Sequence, residues 1–322
     1  MALIENTKLY SGKDLENIFF RPMATENSFQ EQGIRVLYNM PVPTTIHLWG
    51  ASNDVLKIYQ SGWQGGSAAI RECKTLNFCK VKAESAFDAT DYYSRVYECI
   101  TTRPDINLQD LSGTDLEMAE TAMFKRAIAE SLRISAWIGN TSSSGSYSMF
   151  NGILRKVALN CEEESRNAVV FQDEIDDSTV VEALNMVWAT ASEELKSLKK
   201  DGQLAFFVTS DFYSAYEEYL YQAAAANNGY SYSEGYDALY YRGIPLVDIG
   251  ISASMLVDND LPVSQCLLTD RRNLVVALNT SDQPESEVRM WYNPDQMENR
   301  QRAVFLATAD FIDFNLVALG HE

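Results

Sequence analysis

The sequence is poor in the residues that most chemistry needs. It holds two histidines, His47 and His321, the second of them next to last. A metal site or a serine-type triad on that pair would be unusual, because both set imidazole among further ligands or a nucleophile. The five cysteines, Cys73, Cys79, Cys99, Cys161 and Cys266, are odd in number and show no C-x-x-C spacing. That pattern fits neither a disulfide framework nor a zinc site, so reduced, packed thiols are expected. No apolar run is long enough to span a bilayer. The opening MALIENTKLYSGKDL lacks the basic-then-apolar order of a secretory signal. A soluble protein made inside the cell is expected, with no membrane partner.

Basic residues are also scarce. Lys and Arg number 26 against 45 Asp and Glu, a net charge of −19 over 322 residues. Gripping nucleic acid takes clustered bases that neutralise phosphates. An acidic chain is suited instead to staying soluble at high concentration, or to walling in DNA without adhering to it. The Ser/Gly stretch GNTSSSGSYSMFNG (139–152) has no G-x-x-x-x-G-K-[ST] pattern, which excludes a phosphate loop. No catalytic, cofactor-binding or metal-ligating residue is predicted.

What is present is a long succession of elements. Residues 1–35 are polar with scattered Phe19, Phe20 and Phe29. They predict an extended arm lying against another surface, with a short helical turn near 14–20. Residues 36–100 predict a β excursion. TTIHLWG alternates, DVLKIY is rich in β-formers, and SGWQGGSAA turns around Gly62, Gly65 and Gly66. IRECKTLNFCKV returns as a second strand, with Cys73 and Cys79 on one side. DATDYYSRVYECI reads as a helical turn or a further strand. Neither face carries enough large apolar residues for a core, so the ribbon is expected to pack on a neighbour.

The clearest helix is 114–138, opened by the T-x-x-E box of Thr114 and Glu117 and ended by Gly139 and Asn140. It would be roughly 37 Å long at ~1.5 Å per residue. Phe124, Ile128 and Leu132 form one apolar row, and Leu116, Ala119, Met123 and Ala127 another. Lys125, Arg126 and Arg133 form a solvated face or a contact with another subunit. A second helix is expected over 178–200, with Ser178 as its cap, Asp176 and Asp177 near its positive end and Lys199 and Lys200 near its negative end. QLAFFVTS predicts a buried strand and FYSAYEEYLYQAAAA a helix. DALYYRGIPLVDIG predicts two strands around a turn, and SQCLLTDRRNLVVALN two more. Near the end, EVRMWYNPDQMENRQRAVFLATADFIDF (287–314) predicts a two-stranded ribbon with charge on one face and bulk on the other. Helix, strand, helix and then several strands indicate an α+β fold.

This order resembles the major capsid proteins of tailed bacteriophages, the Hong Kong 97 fold, over essentially the whole chain. The phrases that carry the resemblance are FNGILRKVA, LAFFVTSDFYSAYEEYL, YYRGIPLVDIG and LLTDRRNLVVALN. The resemblance implies an N-terminal arm (1–35) and an extended β loop with its base (36–100). It implies a peripheral domain (101–152 and 270–322) holding a long spine helix, and an axial domain (153–269). It also implies a non-enzymatic coat subunit forming pentamers and hexamers of an icosahedral head around double-stranded DNA. Separate scaffolding, portal and decoration proteins would be partners. The location would be the virion, reached from the host cytoplasm. In that frame the ribbon closes the peripheral domain. One face packs on the spine, and Glu287, Arg289, Arg300 and Arg302 point outward to neighbouring subunits or to solvent. Trp63 and Lys57 in the β loop are further candidate assembly contacts. Lys57, Lys74, Lys80 and Lys82 are the lysines a covalent crosslink would use.

A different class remains open: a carbohydrate-active enzyme, or another virion component such as a tail protein. The chain has 17 Tyr and 5 Trp, and two carboxylates suffice for glycoside hydrolysis. The adjacent pairs Glu193-Glu194 and Asp173-Glu174 point in different directions, and the run Glu162–Glu164 reads as solvated surface.

Overall fold

A computed structural model describes residues 8–10, 29–39, 42–51, 60, 69–88, 115–143, 145–226, 239–279, 287–296 and 298–322. Several expectations fall outside those residues: Lys57 and Trp63, the glycine turn 61–68, the strand DVLKIY, Cys99, the turn near 14–20, Phe19 and Phe20, and the side chains of the 114–117 capping box.

In chain order the arm gives β1 (Lys8–Tyr10), α1 (Phe29–Gln32) and β2 (Arg35–Tyr38). The β excursion gives β3 (Thr44–Ala51), β4 (Ala69–Leu76) and β5 (Cys79–Asp88). The long helix is α2 (Asp115–Ile138), and α3 (Ile153–Glu164) follows the Ser/Gly loop. Next come β6 (Ala168–Val170), α4 (Val180–Thr190), α5 (Glu193–Ser197), β7 (Leu204–Val208) and α6 (Ser210–Ala226). β8 (Leu239–Tyr241), β9 (Ile244–Asp248), α7 (Ala253–Asp258) and β10 (Cys266–Asp270) complete this part. The chain closes with β11 (Leu274–Asn279), β12 (Glu287–Asn293), β13 (Glu298–Phe311) and β14 (Val317–His321). The fold is α+β, as the order of segments predicts.

Two six-stranded sheets organise these elements. The first runs β1-β12-β13-β11-β2, with β5 also paired to β13. At 14 residues β13 is its backbone. It pairs with β12 through Glu298–Val304, with β11 through Leu306–Phe311 and with β5 through Glu298–Ala307. The second sheet runs β6-β14-β10-β7-β9-β8. Its central strand β7, LAFFV, is buried at every position, the pattern of a strand covered on both faces.

The closing ribbon has the two faces its alternation predicts. Val288, Met290, Ala303 and Phe305 are buried, while Arg289 and Arg302 are exposed. The buried face shares one core with Phe124, Ile128 and Leu132 of α2. Thr121 on α2 also donates a hydrogen bond to the Met290 sulfur at 3.3 Å. The second sheet has its own core against α4 and α6, built on Val187, Leu184 and Phe212.

The structure departs from the sequence reading in several places. The expected helix 178–200 is broken. Ala191 is extended (ψ 140°), and Ser192 opens α5 by accepting a hydrogen bond from Leu195 N. Ser192 also donates to Asn315 O at 2.7 Å, an alternative that the continuous helix would forfeit. The start is held not by a Ser178 cap but by Asp176, which accepts from Ser178 N and Thr179 N at 2.8 and 2.9 Å. IRECKTLNFCKV is not one strand. It breaks after Leu76, so that β4 pairs with β3 while β5 joins β13. The second apolar row of α2 is not a core row where it can be seen: Met123 and Ala127 are exposed. The base of the β3–β4 ribbon does lean on the first sheet, with Leu76 and Ile46 clustering with Val275, Ala277 and Ile312.

Phe124 and Met123 therefore make a paired test of which face of α2 is inside. Phe124→Ala should destabilise the folded chain by about 3 kcal/mol, the lower end for a core Phe because the site borders a groove. Met123→Ala should change it by less than about 0.5 kcal/mol. Denaturant melting of both variants checks the assignment, and equal effects would show that the face is wrong.

Candidate functional site

The informative places are the joints that fix the elements to one another and the charged faces left on the surface. The first joint is the end of α2. Every residue from Leu132 to Asn140 is buried. A helix end taken out of water must find partners for its last carbonyls. Here Gly139 N donates to Ser135 O at 3.0 Å, and Gly152 N donates to Gly139 O at 2.9 Å. A Cβ on Gly152 would lie 2.4 Å from Trp137 O, and one on Gly139 would lie 2.2 Å from Phe150 O. Only glycine at both positions permits this backbone crossing, which seals the Ser/Gly loop at its base. Trp137 then reaches two ways. Its indole N–H donates to Gln32 of α1 at 3.3 Å, and its ring lies 5.3 Å from Phe207 of β7.

Arg133 is the second joint, and it corrects the solvated face expected for it. It is buried, and it donates to the carbonyls of Ile249 and Gly250 beyond β9. Its other donors form a forked pair with Glu130, at 3.0 and 2.7 Å. The Arg133 hydrogen bond holds the Glu130 carboxyl below its ordinary range. Such a depressed group adds stability above the ordinary carboxylate pKa and loses it as the pH falls through the folded value. The sequence did carry a signal: Arg133 is the lone base in the otherwise apolar and small run SLRISAWI.

Asp310 makes a third joint that sequence reasoning missed. It is buried on β13 and receives Lys156 of α3 at 2.9 Å and Lys74 of β4 at 3.6 Å. Lys74 also sits 4.4 Å over the Phe311 ring. A buried carboxylate needs such partners, since an unpaired charge there is strongly destabilising.

The ribbon arginines point outward but already have partners in their own chain. Arg302 lies across from Arg289 on β12 and from Glu84 on β5, with 3.8 Å to the Glu84 carboxylate. Lys82 approaches the same carboxylate at 2.8 Å, and its hydrogen bond keeps the Glu84 pKa low. Arg300 pairs with Glu298 at 2.6 Å and also donates to Gln296. Arg289 is exposed; the side chain of Glu287 lies outside the described residues. Between α2 and β5 runs a groove of about 610 Å³ lined by Met123, Phe124, Ile128, Val81 and Phe305.

The carboxylates that an enzyme reading would use are dispersed. Glu162–Glu164, Asp173, Glu174, Glu193 and Glu194 are all exposed. Asp173 and Glu182 share a hollow of about 170 Å³, below the ~300 Å³ at which ligand pockets usually begin. Among the described residues no group of three or more His, Cys, Asp or Glu side chains could hold a metal ion. Of the cysteines, Cys161 and Cys266 are buried, Cys79 is half-buried and Cys73 is exposed.

No family model matches the sequence, and no curated protein does. Solved structures do match. A chain of the satellite phage P4 procapsid, which includes the size determination (Sid) protein, superposes with a TM-score of 0.58 at 11% identity, over 94% of this chain and 97% of that one. This is the Hong Kong 97 capsid fold. A chain from the capsid of an empty GTA particle gives 0.52 at 13% identity, over 91% of this chain and 89% of that one. One from the cyanophage A-1(L) capsid gives 0.50 at 10%, over 93% and 92%. In the terms of the Hong Kong 97 fold, α2 is the spine helix and β12–β13 the closing ribbon that packs on it.

Two measurements test the joints and the thiols. Gly250 sits at φ 66°, and a Cβ there would lie 2.9 Å from the Arg133 guanidinium. Gly250→Ala should lower subunit stability by about 1–2 kcal/mol, from left-handed strain and the displaced arginine. Burial pushes the Cys161 thiol up to about 11 and raises that of Cys266 as well. Burial disfavours the thiolate, so at pH 8 only about one Cys161 in a thousand is reactive. Alkylation of folded protein followed by peptide mass spectrometry should label Cys73 before Cys79 and leave Cys161 and Cys266 unmodified.

Proposed function

We propose that this chain is a structural coat subunit. It self-assembles into pentamers and hexamers of an icosahedral phage head that encloses double-stranded DNA without reading its sequence. The observation that carries this reading is likeness in fold along nearly the whole length of both chains, to the P4 procapsid protein above all. Two features support it. A two-stranded β3–β4 ribbon has only one side of its base on the core, so it is built to lie against something else. A net charge of −19 suits a wall next to DNA. The role is mechanical rather than catalytic. Scaffolding, portal and decoration proteins would be separate partners. The subunit would be found in the virion after assembly in the host cytoplasm. Trp63 and Lys57 belong to the β loop and are proposed contacts there. Arg289, Arg300 and Arg302 are proposed contacts of the closing sheet, where their weak in-chain pairs can be exchanged for acids of a neighbour.

Purified protein should form closed particles visible by negative-stain microscopy and sedimenting far faster than a 36.2 kDa monomer. A protein that stays monomeric at every concentration and salt would refute the reading. The double variant Arg300→Glu, Arg302→Glu should melt as the wild-type subunit does, to within about 1 kcal/mol, because each exposed pair is worth little. Its yield of particles should fall, most at low salt, because a shell repeats the loss at every equivalent interface. Normal yield across the salt series would show that these arginines face solvent.

A further inference from the structure

One surface of the second sheet's helical layer stands out against the acidic whole. Trp188, half-buried near the end of α4, has three cations gathered at its ring. Lys196 Nζ lies 6.0 Å, Lys199 Nζ 5.8 Å and the Arg242 guanidinium 5.7 Å from its centroid. Each distance is at the outer range of a cation–π contact. Lys200 follows, exposed, in the next position.

Arg242 is placed there deliberately. It is the first residue of the β8–β9 turn, with φ 53°, and Gly243 follows at 76°. Two positive φ values make the hairpin turn in which Asn or Asp normally precedes Gly. A long side chain at that position carries strain, and strain that persists is a pointer to a role. Asn185 holds the guanidinium in place, accepting from Arg242 Nη2 at 2.7 Å while it also accepts from Tyr241 Oη at 2.5 Å. Among the described residues Lys196, Lys199, Lys200 and Arg242 form no ion pair. Glu193 and Glu194 open α5 close by in sequence, but they make none with these cations either. Like charges are thus crowded around one aromatic ring, and no carboxylate among the described residues pairs with them.

A matching surface of opposite sign lies at the other end of the same helix. The turn QDEIDD (172–177) leads into α4 and carries Asp173, Glu174, Asp176 and Asp177. Asp176 is used internally, capping the turn through Ser178 and Thr179, which fixes the backbone that presents the others. Asp173 and Glu174 are exposed and Asp177 half-exposed, and none makes an ion pair among the described residues. The 11 residues of α4 hold the two surfaces about 16 Å apart along its axis, so they are kept from meeting within one chain.

We infer that the Trp188–Lys196–Lys199–Arg242 patch docks the acidic turn 172–177 of a second copy of this chain, head to tail. The inference rests on the coat-subunit reading and names a contact within it. Opposite charges at opposite ends of one rigid element make a heterologous interface, and such an interface builds a ring when its rotation closes. The occupant is a second copy rather than nucleic acid for two reasons. A handful of cations cannot offset the −19 of the chain toward a polyanion. The acidic turn, by contrast, supplies a similar number of charges on a preorganised backbone.

Charge reversal in two separate proteins tests it. One variant carries Lys196→Glu, Lys199→Glu and Arg242→Glu; the other carries Asp173→Lys, Glu174→Lys and Asp177→Lys. Both change exposed or half-exposed side chains, so the unassembled proteins should keep the wild-type fold, with a small loss of stability where Asp177→Lys sets a cation at the positive end of α4 and Arg242→Glu gives up the Asn185 contact. Each alone should lose about ten-fold or more of its ring-sized oligomer at low ionic strength, since a few pairs per interface are lost and replaced by repulsion. Mixed in equal amounts, the two should recover it, because every interface of an alternating ring is again complementary. Alternation requires an even number of subunits, so the mixture should favour six-membered over five-membered rings. Normal oligomers from either variant alone, or no recovery on mixing, would overturn the inference while leaving the coat reading intact, provided wild-type particles form. If the wild type forms no oligomer, both fail. If the base-reversed variant assembles normally but loses affinity for a short DNA duplex, the patch is a polyanion site and the docking inference is wrong.

Discussion

The fold depends on one helix end that has been taken entirely out of water. From Leu132 onward α2 has no exposed side, so its terminal carbonyls and its polar side chains had to be satisfied by protein. Gly139 and Gly152 do this by letting two backbones touch. Trp137 and Arg133 do it by reaching into neighbouring elements. The same requirement that satisfies the helix therefore assembles the arm, the Ser/Gly loop and both sheets around it. A more exposed helix end would have been easier to satisfy and would have fixed nothing.

Much of this was legible from the order of residues, and the failures have a common cause. Strong periodicity identified α2, the buried β7 and the ribbon β12–β13, because one face or both meet an apolar core. What misled was competition from distant polar groups. Ser192 could have continued a helix, but the carbonyl of Asn315 drew it into a cap. Arg133 read as a helix-surface base, although it is the lone base in the run SLRISAWI, and two carbonyls beyond β9 faced it. Asp310, lying in the apolar run AVFLATADFIDF, gave no sign of the lysines at 74 and 156 that would meet it. Local pattern reports what a segment can do. Which alternative wins is decided by atoms more than a hundred residues away. The candidate contacts were less legible still. The ribbon arginines could be placed on the outer face by alternation, which also puts Glu298 beside Arg300 on one strand, but the Glu84 partner of Arg302 depends on the register of β5 against β13.

Charge is distributed in this chain with a consistent logic. Where a side chain is buried, as at Arg133 or Asp310, its ion pair is close and reinforced by hydrogen bonds, and it sets internal geometry. Where it is exposed, as at Arg302, or half-exposed and exposed around Trp188, pairing is long or is not seen among the described residues. Loose pairs contribute little to folding and respond to salt, so they can be exchanged at little cost to the fold. The acidic excess of the whole chain sets two copies to repel at long range unless local patches of opposite sign meet.

The chain passes between its two sheets at β10–β11 and again at β13–β14, and Asn273 binds the two passages together. It accepts from Ile312 N and Asp313 N at 3.2 and 2.7 Å and donates to Asp313 O at 2.9 Å. Thr269 adds a hydrogen bond to Leu316 O at 2.6 Å. Two strands clamped side by side behave like a flat strap rather than a cord. A strap resists stretching and bending within its own plane but yields across its thin direction. Load passed from one sheet to the other would then appear as a change of angle between them, with the two passages kept in step.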